Sequence, residues 1–251
     1  MVNTVTVEFN LNEGQKIAFG LCAKAFITDY YIENSNVLRT STHVEVPTRK
    51  SLRMLMMGPG RTGKTHVVNA LRCLMGKYGW QHRIRYLVPT GTAASLIDGM
   101  TIHKGLGIKI KPSARLDGEL NAKVTVTIQN CKALRKEWKD VNFVLVDEVS
   151  MLGEELLCEI DHALRYAKEN RDDWFGGVNI IFSGDFFQYP PVGSSPLYTP
   201  LSSKPKQTTQ ALYKCLGQLA WKSIDTVVEL TEQQRMKDDP EYRGAVSRQR
   251  I

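Results

Sequence analysis

The sequence predicts an α/β fold, a mainly parallel central sheet flanked by helices on both faces. Two observations carry this expectation. Short apolar, β-branched runs alternate with helical segments along most of the chain, which is how strands buried on both faces read. A glycine-rich stretch, GPGRTGKT from Gly58 to Thr65, falls between the first such run and the helix after it. In a sheet of this kind, functional groups gather at the carboxyl ends of the strands.

The elements follow in order. LNEGQKIAFGLCAKAFITDYYIENS reads as an amphipathic helix entered through Asn12, with Leu21, Ala25 and Tyr30 on its buried side. LRMLMMG, RIRYLVPT, NFVLVDEV, GGVNIIFSGDF and DTVVELT read as strands. KTHVVNALRCLMGKYG and GEELLCEIDHALRYAKEN are intervening helices. SSPLYTPLSSKPKQTTQALYK, rich in Pro, Ser and Lys, reads as an irregular insertion or long loop. DDPEYRGAVSRQRI opens something helical. Residues 1–50 are expected to form an N-terminal helical segment, and residues 51–251 the α/β domain.

Composition narrows the class. The chain has 251 residues, 42% of them apolar, enough for a substantial core. No apolar stretch is long enough to span a bilayer, so no membrane partner is expected. The opening MVNTVTVEFNLNEG lacks a basic stretch followed by an apolar run, so no signal peptide is expected. Five cysteines (Cys22, Cys73, Cys131, Cys158, Cys215) lie far apart without a C-x-x-C pair. That argues against a zinc site or disulfide framework and fits a reducing compartment. The net charge of +7 suits a polyanion partner, although many proteins reach it without one.

G-x-x-x-x-G-K-T between a strand and a helix is the context a phosphate-binding loop requires. Its glycines let successive backbone N–H groups curl around phosphate oxygens, and the helix start adds a favourable dipole. The expected ATP-binding set is Gly58, Pro59, Gly60, Arg61, Thr62, Gly63, Lys64, Thr65 and His66. Lys64 would reach the β- and γ-phosphates, and the Thr65 hydroxyl would bind Mg²⁺. Arg61 either approaches a phosphate or points to solvent.

NFVLVDEVSML supplies the complementary half. Asp147 at a strand end would serve Mg²⁺, usually through water. Glu148 would polarise the attacking water as general base. In isolation such an acidic pair only caps the next helix; after a phosphate loop the catalytic reading prevails. A third strand end, IIFSGDFFQYPPV, offers Gln188 as a γ-phosphate sensor or a plain loop glutamine. Asp185 serves that loop or the magnesium waters. Phe186 and Phe187 are either core residues or, for one of them, a face for a base.

The order of these motifs resembles the Pif-one (petite integration frequency) helicases of superfamily one, over Leu11 to about Arg235. LNEGQ is similar to their Q motif, whose glutamine, here Gln15, reads the adenine edge. GPGRTGKT matches their Walker A motif, though the family more often has Gly where Arg61 stands. VPTGTAASLIDGMTIHKGLGI is similar to motif Ia and its extension. The resemblance thereby places Thr90, Gly91, Thr92, Ala93 and Ala94, then Thr101 and His103, along single-stranded DNA. VLVDEVSML matches motif II. IDHALR and WFGGVNIIFSGDFFQYPPV resemble the family signature and motif III, with Tyr189 where Leu is common. ELTEQQRM is similar to motif IV, and its Arg235 would contact the γ-phosphate.

The resemblance implies a RecA-like P-loop domain and an ATP-dependent DNA helicase moving five-prime-to-three-prime in the complete protein. It implies ATP and Mg²⁺ as cofactors, single-stranded DNA as partner, and Lys64, Glu148, Gln188 and Arg235 as catalytic residues. Work in DNA repair, recombination or telomere maintenance, in nucleus or mitochondrion, goes with it. Such motors use two RecA-like domains. No second βαβ series is visible, so this chain is expected to be domain 1A alone, a monomer that binds Mg-ATP and hydrolyses it weakly. A DNA-gripping strand end needs amides, hydroxyls and stacking faces. TGTAAS and His103 offer them, although His103 also reads as a satisfied loop histidine. Lys104, Lys109 and Lys111 add phosphate affinity or form a solvated basic loop. Helitron transposon helicases share nearly all these motifs. A nucleotide-binding interaction module would not need Glu148, and a small-molecule kinase would need an arginine-rich lid.

Overall fold

The computed structural model describes residues 1–35, 49–96, 99–108, 128–200 and 208–232. Two helices open the chain, α1 (Val2–Glu8) and α2 (Glu13–Ser35). Then come β1 (Arg53–Met57), α3 (Lys64–Lys77), β2 (Ile84–Val88), α4 (Gly91–Leu96), β3 (Met100–Thr101) and α5 (Ile102–Leu106). They are followed by α6 (Ile128–Trp138), β4 (Phe143–Val146), α7 (Glu154–Ala167), β5 (Asn179–Gly184), α8 (Thr209–Lys222) and β6 (Thr226–Glu229). Among the described residues the strands form one six-stranded sheet in the order β3-β2-β4-β5-β1-β6, with every pairing parallel.

Each strand splits its side chains between two cores, as the two-residue period of a strand requires. Met54 and Met56 of β1, Phe143 and Leu145 of β4 and Ile181 of β5 join α1, α2 and α3 on one face. Leu55, Val144, Val146, Ile180 and Phe182 join α5, α6 and α7 on the other. β4 and β5 are buried throughout. At roughly 1.5–3 kcal/mol per large apolar side chain, these central strands anchor the fold. The edge strand β6 leaves Val227 62% exposed.

All five expected strands are present. β3, two residues long, is not among those read from sequence. α1 and α6 were not anticipated either. The stretch read as an irregular insertion ends inside α8, whose start is capped by the Thr208 hydroxyl accepting from the Ala211 N–H at 3.2 Å. The buried stripe of α2 runs through Ala18, Phe19, Cys22, Ala23 and Phe26. Leu21, Ala25 and Tyr30, expected to be its buried side, flank that stripe and are only partly covered. Asn12 does cap α2, accepting from the Gln15 N–H at 2.9 Å. Because α1 and α2 share a core with β1 and α3, the N-terminal segment is built onto the sheet.

Candidate nucleotide site

The phosphate loop leaves β1 at Met57, beside Gly184 at the end of β5. The Gly58 N–H donates to the Gly184 carbonyl at 3.2 Å, and the Leu230 N–H donates to the Met57 carbonyl at 2.7 Å. Gly58 must be glycine, since a Cβ there would run into the Leu230 carbonyl. Within the loop, Thr62 is fully buried and its hydroxyl donates to the Pro59 carbonyl at 2.9 Å. The Lys64 ammonium tucks under the loop and donates to the carbonyls of Gly58 at 2.7 Å and Pro59 at 3.0 Å. Thr65 and His66 begin α3 and are exposed.

Arg61 sits in the left-handed region at φ 69°. That conformation costs a non-glycine residue about 1–2 kcal/mol. It gives a physical reason why glycine is common at this place in the family named by the resemblance.

Gln15 is 1% exposed and reaches the loop from α2. Its Nε2 donates to the Thr62 carbonyl at 3.0 Å, and its Oε1 accepts from the Asn12 N–H at 3.1 Å. With Asn12 accepting in return, the pair forms a capping box. Gly63, at φ 84°, lies so close that a Cβ would meet Gln15 Nε2. Gln15 therefore braces the loop at Thr62 and Gly63.

The acidic half comes from the next strands over. The Asp147 N–H, just past β4, donates to the Leu87 carbonyl of β2 at 2.9 Å. Glu148 follows in the left-handed region at φ 56° and caps a short turn at 149–151. A strained residue at a strand end is a feature of functional sites. Burial pushes the Glu148 pKa up, Asp147 and Asp185 push it further, and Lys64 pulls it back. A half-buried carboxylate with a raised pKa is suited to accept a proton. Gly184 is needed because the backbone at Val149 passes over it, leaving no room for a Cβ.

Asp185 is 5% exposed at the end of β5. The Gln188 Nε2 donates to Asp185 Oδ2 at 3.4 Å, and the Gln188 N–H donates to the Asp185 carbonyl at 3.0 Å. Gln188 itself is exposed. Phe186 packs edge-on to Tyr198 and Trp221, whereas Phe187 is 72% exposed. Arg235, Lys109 and Lys111 lie outside the described residues.

The donor set fits Mg²⁺. It is all oxygen, from the Thr65 hydroxyl and the Asp147 carboxylate, and carries surplus negative charge from Asp147, Glu148 and Asp185. Mg²⁺ keeps most of its waters, so one or two protein ligands suffice. Among the described residues no group of three or more His, Cys, Asp or Glu forms a dedicated cage.

The residues expected along DNA lie at the other edge of the sheet. Thr90, Gly91, Thr92 and Ala93 follow β2 at the start of α4, with the Thr90 hydroxyl accepting from the Ala93 N–H at 3.4 Å. Thr101 closes β3 opposite Val88 and caps α5, its hydroxyl accepting from the Lys104 N–H at 3.3 Å. His103 is half-buried and Lys104 exposed. Both sets thus occupy the carboxyl edge of one sheet, with β4 and β5 between β2 and β1, the strand of the phosphate loop.

A cavity of about 480 Å³ opens beside the loop. Lys64, Thr65, Arg61 and His66 line it from the loop side, and Asn10 and Gln15 from the N-terminal segment. His66 Nε2 lies 2.7 Å from the Phe9 carbonyl, and their rings are 5.3 Å apart. Asn10 and Phe9 were not among the expected site residues. The only sequence signal for them is an asparagine just past a seven-residue helix.

A parallel sheet with a phosphate loop on one strand and an acidic pair two strands away defines a RecA-like P-loop domain. Residues 33–247 match the model of the PIF1-like helicase family, and the chain belongs to that family. The ATP-dependent DNA helicase PIF1 of Saccharomyces cerevisiae is 31% identical over 196 residues, covering 77% of this chain and 20% of that protein. The Pif1 helicase structure from Candida albicans superimposes with a TM-score of 0.63 at 22% identity, over 96% of this chain and 44% of that one. This likeness speaks for the fold alone. The Bacteroides Pif1 helicase in complex with ADP-AlF3 and ssDNA gives 0.54 at 26% identity, over 88% of this chain and 45% of that one. The chain spans about a fifth of the yeast relative and under half of either solved chain.

Proposed function

We propose that residues 51–251 form the first RecA-like domain of an ATP-dependent DNA helicase motor, with residues 1–50 as the segment that braces its phosphate loop. The observation that carries this reading is electrostatic. Lys64 of the loop after β1 and Glu148 of the acidic pair after β4 act on one another across the end of β5, with Asp147 and Asp185 in the same field. An interaction module without turnover has no use for a half-buried Glu148 of raised pKa.

In this reading Thr65 and Asp147 hold Mg²⁺, which would neutralise phosphate charge. Lys64 leaves the carbonyls of Gly58 and Pro59 for phosphate oxygens. Glu148 takes the proton of a water attacking the γ-phosphorus as the bond to the β-phosphate oxygen breaks. Gln188 and Arg235 contact the γ-phosphate, and Thr90, Gly91, Thr92, Ala93, Thr101 and His103 hold single-stranded DNA. A second RecA-like domain supplies a further arginine, worth on the order of 10³ to 10⁵ in turnover. Five-prime-to-three-prime movement, and work in repair, recombination or telomere maintenance in nucleus or mitochondrion, belong to the same proposal.

Equilibrium binding tests it. Fluorescent ATP with Mg²⁺ should bind the chain, and Lys64→Ala should weaken that binding at least about tenfold, or 1.4 kcal/mol. Labelled oligo-dT should bind with an affinity that falls steeply with salt. Nucleotide binding unchanged by Lys64→Ala would overturn the reading.

A further inference from the structure

We propose that Arg61 grips the terminal phosphate of a nucleoside triphosphate and so makes the site prefer ATP to ADP. This assignment rests on the nucleotide reading above and deepens it, giving a role to the one loop residue that departs from glycine.

Arg61 holds the left-handed region at φ 69°, where a glycine would sit without strain. The loop gains nothing from the side chain that stands there. Arg61 is exposed, and its guanidinium takes no hydrogen bond or ion pair among the described residues. The neighbouring side chains are tied into the loop, Thr62 to the Pro59 carbonyl and Lys64 to the carbonyls of Gly58 and Pro59. Elsewhere Arg53, Arg83 and Arg165 each hold a carboxylate, of Asp225, Glu33 and Asp161. A strained residue whose side chain does nothing for the fold points to a ligand.

The place of Arg61 says which part of the ligand. It lines the cavity together with Lys64 and Thr65. In a phosphate loop the backbone N–H groups cradle the inner phosphates and the lysine reaches outward from beneath. The oxygens left uncovered are those of the terminal phosphate, and a long side chain rising from the loop is placed to take them. A guanidinium offers two parallel N–H donors that match a phosphate edge, stays charged throughout the working pH range and sheds water more readily than an ammonium. Lys64 is a single point of charge, drawn on by two loop carbonyls and by Glu148. Arg61 thus adds a second cation where only a triphosphate has an oxygen to meet it. ADP ends short of that point.

The test uses Arg61→Gly, which relieves the left-handed strain and removes only the side chain, and Arg61→Lys, which keeps the charge without the fork. Dissociation constants for ATP and ADP are measured with Mg²⁺, and melting temperatures without nucleotide. Arg61→Gly should bind ATP about tenfold more weakly and ADP within about twofold of the unmodified chain, so the ATP-over-ADP preference falls. Its melting temperature should be no lower, and Arg61→Lys should recover part of the preference. An ATP-over-ADP ratio unchanged in Arg61→Gly, whether neither affinity moves or both fall together, overturns the assignment. A lower melting temperature without nucleotide gives Arg61 to the fold and overturns it as well. Either result leaves the nucleotide reading standing on Lys64→Ala. Failure of the unmodified chain to bind both ATP and ADP overturns the two together.

Discussion

Glu148 concentrates the tension of the site. It holds a left-handed backbone conformation, and burial with two neighbouring carboxylates raises its pKa. Its ionised form therefore opposes folding. The stability linked to this group is present below the ordinary carboxylate range and is lost as pH rises through the raised value. Without nucleotide or metal, Glu148→Gln should melt higher than the unmodified chain at neutral pH. The gap should close as pH falls and Glu148 protonates. Thermal melts across that pH range check this, and equal melting at neutral pH would contradict it. Lys64, Asp147 and Glu148 were legible in the sequence because their spacing from strand ends fixes where they stand. The bonding of Gln15 was not, since residue type does not tell which partner a buried amide takes.

At the scale of elements, α7 and α8 show how closely the helices pack. A Cβ at Gly217 would run into the Glu154 carbonyl, with that residue's carbonyl carbon at 2.7 Å. Beside it the Gln218 Nε2 donates to Glu154 Oε1 at 2.6 Å in a buried pair. Gly217→Ala must push the helices apart, costing about 1–3 kcal/mol, against a gain of up to about 1 kcal/mol in helix propensity. A melting temperature lowered by roughly 2–8 °C is expected, and an unchanged one would show the contact to be slack. The five longer strands were readable because each is a run of apolar or β-branched residues. β3 carries too few residues to form a pattern. α6 buries only Leu134 and Trp138 among its residues of known burial, so its periodicity is faint. α8 begins in a Thr- and Gln-rich stretch that reads as loop until its cap is seen.

Across the described residues, one sheet edge carries the phosphate loop, the acidic pair and the expected DNA residues together. The phosphate loop follows β1, the acidic pair β4 and the Asp185–Gln188 loop β5, while the expected DNA residues follow β2 and β3. Cores on both faces hold the central strands, so the spacing of these groups is set by strand register. The measurement that bears most directly on this account is single-turnover ATP hydrolysis with the chain in excess, with and without single-stranded DNA, using Glu148→Gln as the blank. Slow, Mg²⁺-dependent hydrolysis that is lost in Glu148→Gln is expected. Hydrolysis by the unmodified chain no faster than by Glu148→Gln would contradict the assignment of this strand-end site as catalytic.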